Sequence, residues 1–358
     1  MKVLLLGDYS SFHINLKKGL LELGVDCKVA SNGDGWKKIG GADFELWDDS
    51  QKGYLKSRYN YHIRPFLDRK TYYGNDVVQL IHPSIFSPWI NKTMLKCIFD
   101  NNKKSYVSVC GDAYSVYKSY IEGKLGNYYV YDDNPGITQK YRSNKMRDRI
   151  LIKDEEYVYD HVKGIIPIMF EYAEGVRERR NCLKTIPIPF DSSPIEYTPN
   201  RLNNKLVIMH GLFKEKSKGS SYILDAFRII KDKYPNDVEI IVDGKLPLNE
   251  YLKLLKRVNV LVDQCKEHCY GMNACYGMAL GKVVLGGASE SSLRELGLKE
   301  SPVIHIEPNT DMIVSKLDYL IKHKDEFEEM GRKSREFVET FHDCKRIAQE
   351  YLNTWAAE

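Results

Sequence analysis

Short apolar runs that end in turn residues recur along the chain, and each is followed by a stretch of helical spacing. Lys2 to Leu6, KVLLL, stops at Gly7; a helix capped by Ser10 or Ser11 then runs through Leu21 to Leu23, and Val25 to Ala30 resumes a strand. Further strand-like runs at Val77 to Ile81, Tyr106 to Cys110 and Gly164 to Met169 alternate with helical stretches. That alternation predicts an α/β domain whose parallel sheet is covered on both faces.

Between Ile186 and Asn200 the chain reads IPIPFDSSPIEYTPN, and its four prolines exclude both a helix interior and a central strand. A second α/β series starts after this linker. Leu206 to His210, Val238 to Val242 and Val258 to Asp263 read as strands, with helices at Ser221 to Lys233 and Leu248 to Arg257 between them. The pattern from Arg335 to Trp355 is one long amphipathic helix, more than a small sheet needs to finish itself. The expected organisation is a first Rossmann-like domain over 1–190, a second over 200–335, and a helix over 336–358 that crosses back to the first.

Length agrees with this division, since 358 residues exceed what a single core commonly serves. No apolar stretch approaches the roughly 20 residues of a membrane span, and the N-terminal run is too short for a signal peptide, so a cytoplasmic location is expected. A formal charge of +4 is too mild to imply nucleic acid. Two basic clusters stand out: Lys52 to Lys70, interleaved with Tyr54, Tyr59 and Tyr61, and Lys140 to Arg149. Each is either a solvated helical face or a patch for an anionic acceptor or a membrane surface, which leaves peripheral contact at an inner membrane face open. Cys265, Cys269 and Cys275 beside His268 lack a paired C-x-x-C, so no metal site is expected there.

Two blocks carry more specific information. Val207 to Ala226, VIMHGLFKEKSKGSSYILDA, and Val258 to Gly287, VNVLVDQCKEHCYGMNACYGMALGKVVLGG, resemble in order and spacing the donor domain of retaining glycosyltransferases of GT-B family 4. The resemblance covers about Leu206 to Trp355 and is only architectural before that. It implies a GT-B fold, two Rossmann-like domains facing a central cleft. It also implies transfer, with retention, from a nucleotide sugar to a glycan or lipid-linked acceptor, in assembly of a surface polysaccharide or other glycoconjugate. No cofactor beyond the donor substrate is implied.

The chemistry of such a site is demanding in a definite way. As the glycosidic bond breaks, negative charge grows on the leaving diphosphate, so cations and amide donors must be aimed at it. Lys218 follows the loop KEKS and precedes Gly219 at a helix start, where backbone N–H groups also favour an anion. Lys214 or Lys216 is its expected partner, although three lysines also serve simply to solvate a loop. Tyr270, Gly271, Met272 and Asn273 precede a helix that begins near Ala274, an expected second anion cradle. Gly211 ends the strand before the lysines. Gly244, Lys245 and Leu246 follow another strand, where the resemblance places the nucleobase. In the first half, Gly7 and His13 resemble the glycine-containing acceptor-side loop, which gives His13 the expected catalytic task of orienting a substrate hydroxyl, although a lone histidine near a helix start also serves as a cap or surface residue; Asp112 ends a neighbouring strand.

Two departures from the family pattern matter. The family's paired glutamates, eight positions apart, are replaced by His268 and Tyr276; His268 is expected to bond a sugar hydroxyl, while Tyr276 offers one phenol and a ring. A catalytically inactive nucleotide-sugar or glycan-binding homologue is therefore the alternative. No Asp-x-Asp motif occurs, Asp48-Asp49 and Asp132-Asp133 read as turns, and metal-independent chemistry led by lysines is expected. GDYSSF at Gly7 is no dinucleotide fingerprint.

Overall fold

The computed structural model describes residues 1–34, 39–47, 53–212, 214–244 and 246–357. They form two compact units: Met1–Lys124 with Gly136–Pro189 and Cys344–Glu358, and Leu125–Pro135 with Phe190–Asp343. The short stretch Leu125–Pro135, which the sequence reading left inside the first domain, belongs to the second unit.

In the first unit the strands are β1 (Lys2–Leu6), β2 (Asp26–Ala30), β3 (Val77–Leu80), β4 (Lys104–Val109) and β5 (Gly164–Pro167), all parallel, in the spatial order β2-β1-β3-β4-β5. The second unit repeats this order with β6 (Leu206–Gly211), β7 (Val238–Asp243), β8 (Val260–Val262), β9 (Val283–Gly286) and β10 (Ile304–His305), arranged β10-β9-β8-β6-β7. In both, the chain leaves the first strand in opposite directions across the sheet. Such a switch point opens a crevice at the C-terminal strand ends, between β1 and β3 and between β6 and β8, where open α/β sheets bind ligands.

The period-two alternation of buried strands builds two cores around the second sheet. Ile208, Val260, Val262, Val283 and Leu285 point to one face, covered by Ile223, Phe227, Ile313 and Leu317. Met209, Leu261 and Val284 point to the other, covered by Met278, Ala279 and Val338. The helices supplying these covers are Ser220–Lys233 and Thr310–Lys322 on one side, and Met272–Ala279 and Phe327–Phe341 on the other.

Two local expectations change. The helix Phe12–Glu22 is not capped by a serine: Ser10 and Ser11 both have positive φ, and the buried Asp8 carboxylate accepts from the backbone N–H of Ser11 (3.0 Å) and His13 (2.6 Å). The single long helix from Arg335 to Trp355 is two, Phe327–Phe341 and Cys344–Ala356, because the chain at His342 turns to accept a bond from the Phe190 N–H (2.7 Å). The second of these helices packs on Phe12–Glu22 in the first unit. Among the described residues no helix is long and apolar enough to cross a membrane.

Candidate functional site

At the β6/β8 switch point, Gly211 ends β6 and Lys214, in left-handed conformation at φ 54°, turns the chain into a one-turn helix, Glu215–Lys218. Gly219 follows at φ 72°, and an added Cβ there would lie 2.4 Å from the Cys265 sulfur, so only glycine fits. The Cys265 N–H donates to the Lys218 carbonyl at 3.0 Å, which ties this loop to the end of β8. Below it, the fully buried His210 donates Nδ1–H to the Val262 carbonyl (2.8 Å), leaving Nε2 to accept from the Ser220 hydroxyl (2.8 Å). Burial pushes its pKa down to about 4, so the imidazole stays neutral.

Lys218 is thereby aimed across the switch point. Its Nζ lies 2.6 Å from Asp263 Oδ1; the lysine side chain is 18% exposed and the carboxylate 3%. The same oxygen accepts from Asn273 Nδ2 at 2.7 Å, and Tyr251 donates its hydroxyl to Asn273 Oδ1 at 2.6 Å. The cluster Lys218–Asp263–Asn273–Tyr251 fixes an ammonium at the end of β8 beside the first turn of Met272–Ala279. One ammonium proton serves Asp263, and the other two are available to an incoming anion.

Among the expected cradle residues, the arrangement is mixed. Lys214 and Lys216 lie exposed on the loop. Gly244 adjoins Gly211: a Cβ on Gly244 would meet the Leu212 carbonyl at 2.2 Å, and Leu212 N–H donates to the Asp243 carbonyl at 2.8 Å. Leu246 is half-buried beyond it, and Lys245 lies outside the described residues. Gly271 precedes the helix with φ −114°, an ordinary extended value, and a Cβ there would meet nothing within 4 Å. Its glycine is thus required by neither turn nor packing, and the space in front of the helix is open.

Four residues expected to meet the ligand are used differently. Tyr270 is a core residue whose hydroxyl meets His342 Nε2 at 3.0 Å, and Tyr276 packs its ring edge-on against Phe190 at 5.1 Å. Met272 packs partly on the same core. His268 donates Nε2–H to the Leu125 carbonyl (2.6 Å) and accepts at Nδ1 from the Ser289 hydroxyl (2.9 Å), so both nitrogens are engaged within the protein rather than turned to a sugar hydroxyl. Its ring stacks on Tyr128 at 6.1 Å.

Sequence reasoning missed Asp263 and the Leu125–Pro135 strap. An acid closing a strand at a switch point is a readable signal for the first. The second has none, because its bonds are long-range: Tyr129 N–H to the Lys266 carbonyl (3.0 Å), Lys266 Nζ to the Asp132 carbonyl (3.0 Å), and Asn134 Nδ2 to the Ser217 hydroxyl (3.0 Å), next to Lys218. Asp132-Asp133 forms a turn, with Asp133 at φ 53°. Among the described residues no three His, Cys, Asp or Glu side chains are grouped as metal ligands.

The first unit has its own constellation at the β1/β3 switch point. Gly7, at φ 79°, turns the chain after β1. His13 is fully buried and donates Nδ1–H to the Gly7 carbonyl at 2.6 Å, while Nε2 is enclosed without a hydrogen-bond partner. Burial lowers its pKa to about 3. His13 therefore braces the loop and does not reach a substrate, contrary to the expectation of a catalytic role. Burial raises the Asp8 carboxyl to about 6. Asp112 is exposed, ion-paired with Lys140, and accepts from the Tyr141 hydroxyl at 2.6 Å.

No protein-family model matches the chain. No curated protein matches it either. Solved structures do. Sucrose-phosphate synthase from Thermosynechococcus elongatus is similar over 100% of both chains, with TM-score 0.66 and 12% identity. The Anabaena protein HepE, in complex with UDP and glucose, gives TM-score 0.63 and 11% identity, again over 100% of both. UDP-GlcNAc 2-epimerase from Neisseria meningitidis, bound to UDP-GlcNAc, gives TM-score 0.53 and 12% identity over 99% of both. The fold is that of the two-domain α/β GT-B proteins.

Proposed function

We propose that the protein is a glycosyltransferase that seats the diphosphate of a nucleotide sugar on its second unit and passes the sugar to a glycan or lipid-linked hydroxyl. The observation that carries this reading is Lys218, an ammonium held by a buried carboxylate at the β6/β8 switch point and facing the open start of Met272–Ala279. Two of the full-length fold neighbours place related molecules on this architecture: HepE holds UDP and glucose, and the epimerase holds UDP-GlcNAc.

In this reading Lys218, with Lys214 or Lys216, meets the phosphates as the bond from the anomeric carbon to the phosphate oxygen breaks. The acceptor oxygen bonds the same carbon from the face the phosphate leaves, its proton passes to a phosphate oxygen, and configuration is retained, as in the family 4 enzymes the sequence resembles. Lysines supply the positive charge in a metal-independent step. Gly271, Met272 and Asn273 bring the first helix amides to the phosphates, and Gly211, Gly244, Lys245 and Leu246 border the nucleobase. Gly7 and Asp112 belong to the acceptor side, the setting is cytoplasmic, and a lipid-linked acceptor calls for peripheral membrane contact.

Release of nucleoside diphosphate from a panel of UDP-, GDP- and ADP-sugars tests the reading. Acceptor-stimulated release that Lys218→Met abolishes is the expected outcome. Two rivals give different results. The epimerase likeness predicts interconversion of sugar epimers without an acceptor, and an inactive binding homologue predicts donor binding without turnover.

A further inference from the structure

We infer that the surface formed by Tyr54–Tyr72 and the Ser87–Ile90 loop docks the protein onto an anionic lipid bilayer. The helix Tyr54–His62 buries a single residue, Asn60, half-buries Tyr61 and His62, and exposes Tyr54 to Tyr59. Leu55 is 80% exposed, Tyr54 72%, Trp89 60%, Leu67 58% and Ile63 50%. Scattered single apolar residues are normal on a surface, whereas here five large ones lie on one short stretch and its neighbouring loop. His62 Nδ1 meets the Ser87 hydroxyl at 2.5 Å, which holds the loop carrying Trp89 against the helix. Leu55, Arg58, Tyr59, His62, Ile63 and Trp89 line a shared groove of about 440 Å³.

Charge selects the occupant. From Tyr54 to Tyr72 the chain carries Lys56, Arg58, Arg64, Arg69 and Lys70 against Asp68 alone, a net of +4. Lys140 to Arg149 carries the same net charge, with Asp148 against five cations, but there Met146 is the lone exposed large apolar side chain, so it is the pairing of charge with apolar exposure that marks the Tyr54–Tyr72 surface. A second copy of the chain would bring the same positive charge and be repelled. Nucleic acid would use the cations and the rings but leave Leu55, Ile63 and Leu67 unused. A bilayer uses all three classes: aliphatic side chains enter the acyl boundary, Trp89 and the tyrosines sit at headgroup level, and long cationic side chains reach lipid phosphates. Arg58 already lies along Tyr54, its guanidinium donating to the phenol oxygen at 2.7 Å, and Arg69 lies over Phe66 at 4.4 Å.

The inference rests on the transferase reading only for a reason to visit a bilayer, since a lipid-linked acceptor is presented there. Its test is separate: cosedimentation of the full chain, without donor, with vesicles of phosphatidylcholine alone and of phosphatidylcholine containing phosphatidylglycerol. Binding is expected to the anionic vesicles only and to weaken with salt. Each charge removed should weaken it about fivefold, so Lys56→Gln with Arg58→Gln gives roughly a 25-fold loss. Leu55→Ser with Trp89→Ser should also reduce it at least tenfold, while both pairs keep the wild-type thermal midpoint and donor binding. A blue shift of tryptophan emission on vesicle addition should vanish in Trp89→Phe. Equal binding to neutral vesicles, no binding to either, or binding that both double variants preserve would each overturn the inference. So would capture of a single-stranded oligonucleotide that depends on Lys56 and Arg58 but not on Leu55 and Trp89.

Discussion

Replacing Lys218 by methionine separates its structural role from its chemical one. Met keeps much of the buried stem and removes the ammonium, leaving the Asp263 carboxylate, 3% exposed, with Asn273 as its remaining side-chain donor. Breaking a buried pair from one side costs about 3–5 kcal/mol, and the lysine's 18% exposure puts this case near 3. For a unit of this size that lowers the thermal midpoint by about 6–12 °C. Adding Asp263→Asn removes the stranded charge while retaining an amide for Asn273, so most of the lost stability should return. Turnover should not. If Lys218 meets the leaving phosphate, its loss costs about 2.7–4 kcal/mol of transition-state stabilisation, a fall in kcat of roughly 10²–10³-fold, in both the single and the double variant. Calorimetric melts and nucleotide-release kinetics on the two variants make the comparison. Recovery of kcat along with stability in Lys218→Met/Asp263→Asn would refute the reasoning, because it would make Lys218 merely the counter-ion of Asp263.

Other consequences are equally concrete. Gly219→Ala combines φ 72° with a Cβ 2.4 Å from the Cys265 sulfur, so a melt should show a loss of about 2–3 kcal/mol, which Cys265→Ala relieves only in its steric part. Gly271→Ala meets open space at ordinary φ and should leave the melt within about 0.5 kcal/mol of wild type, while titration calorimetry shows weakened nucleoside diphosphate binding if phosphates approach that backbone. His210, depressed to about 4 from the usual 6.5, leaves the unfolded chain with the extra proton between those values. Its contribution is therefore complete above about pH 6.5 and shrinks by roughly 1.4 kcal/mol per unit as pH falls towards 4. Denaturant titrations should show His210→Asn with a shallower acid slope than wild type. Asp8, raised to about 6, acts oppositely, its burden easing as pH falls through 6 towards 3.8, so Asp8→Asn should steepen that slope.

What the sequence revealed and what it hid divide along physical lines. Periodicity exposes strands buried on both faces, and KVLLL, LVIMHG and VVLG are visible as β1, β6 and β9 because a covered parallel sheet demands continuous apolar runs. The two-residue β10 is too short to carry such a signal. Lys218 and Gly219 could be singled out because a helix start with a glycine is a local feature. The partners that aim Lys218 are not local: Asp263 is 45 positions away, and Asn273 and Tyr251 come from two different helices. His268 and Tyr270 misled for the same reason, since a motif position says what a family member does there and not whether this chain's Leu125 and His342 have already taken the polar atoms. His13 was given a catalytic role by its place at the start of a helix in the acceptor-side loop, but the loop folds its imidazole back onto Gly7.

Hydrogen exchange with and without a nucleoside diphosphate tests the central claim most directly, because it locates the ligand without requiring an acceptor. The account predicts new protection at the amides of Lys214 to Ser221 and Gly271 to Ala274, lost in Lys218→Met. Protection confined to Gly7 to His13 and Gly111 to Ala113, or none anywhere, would contradict it.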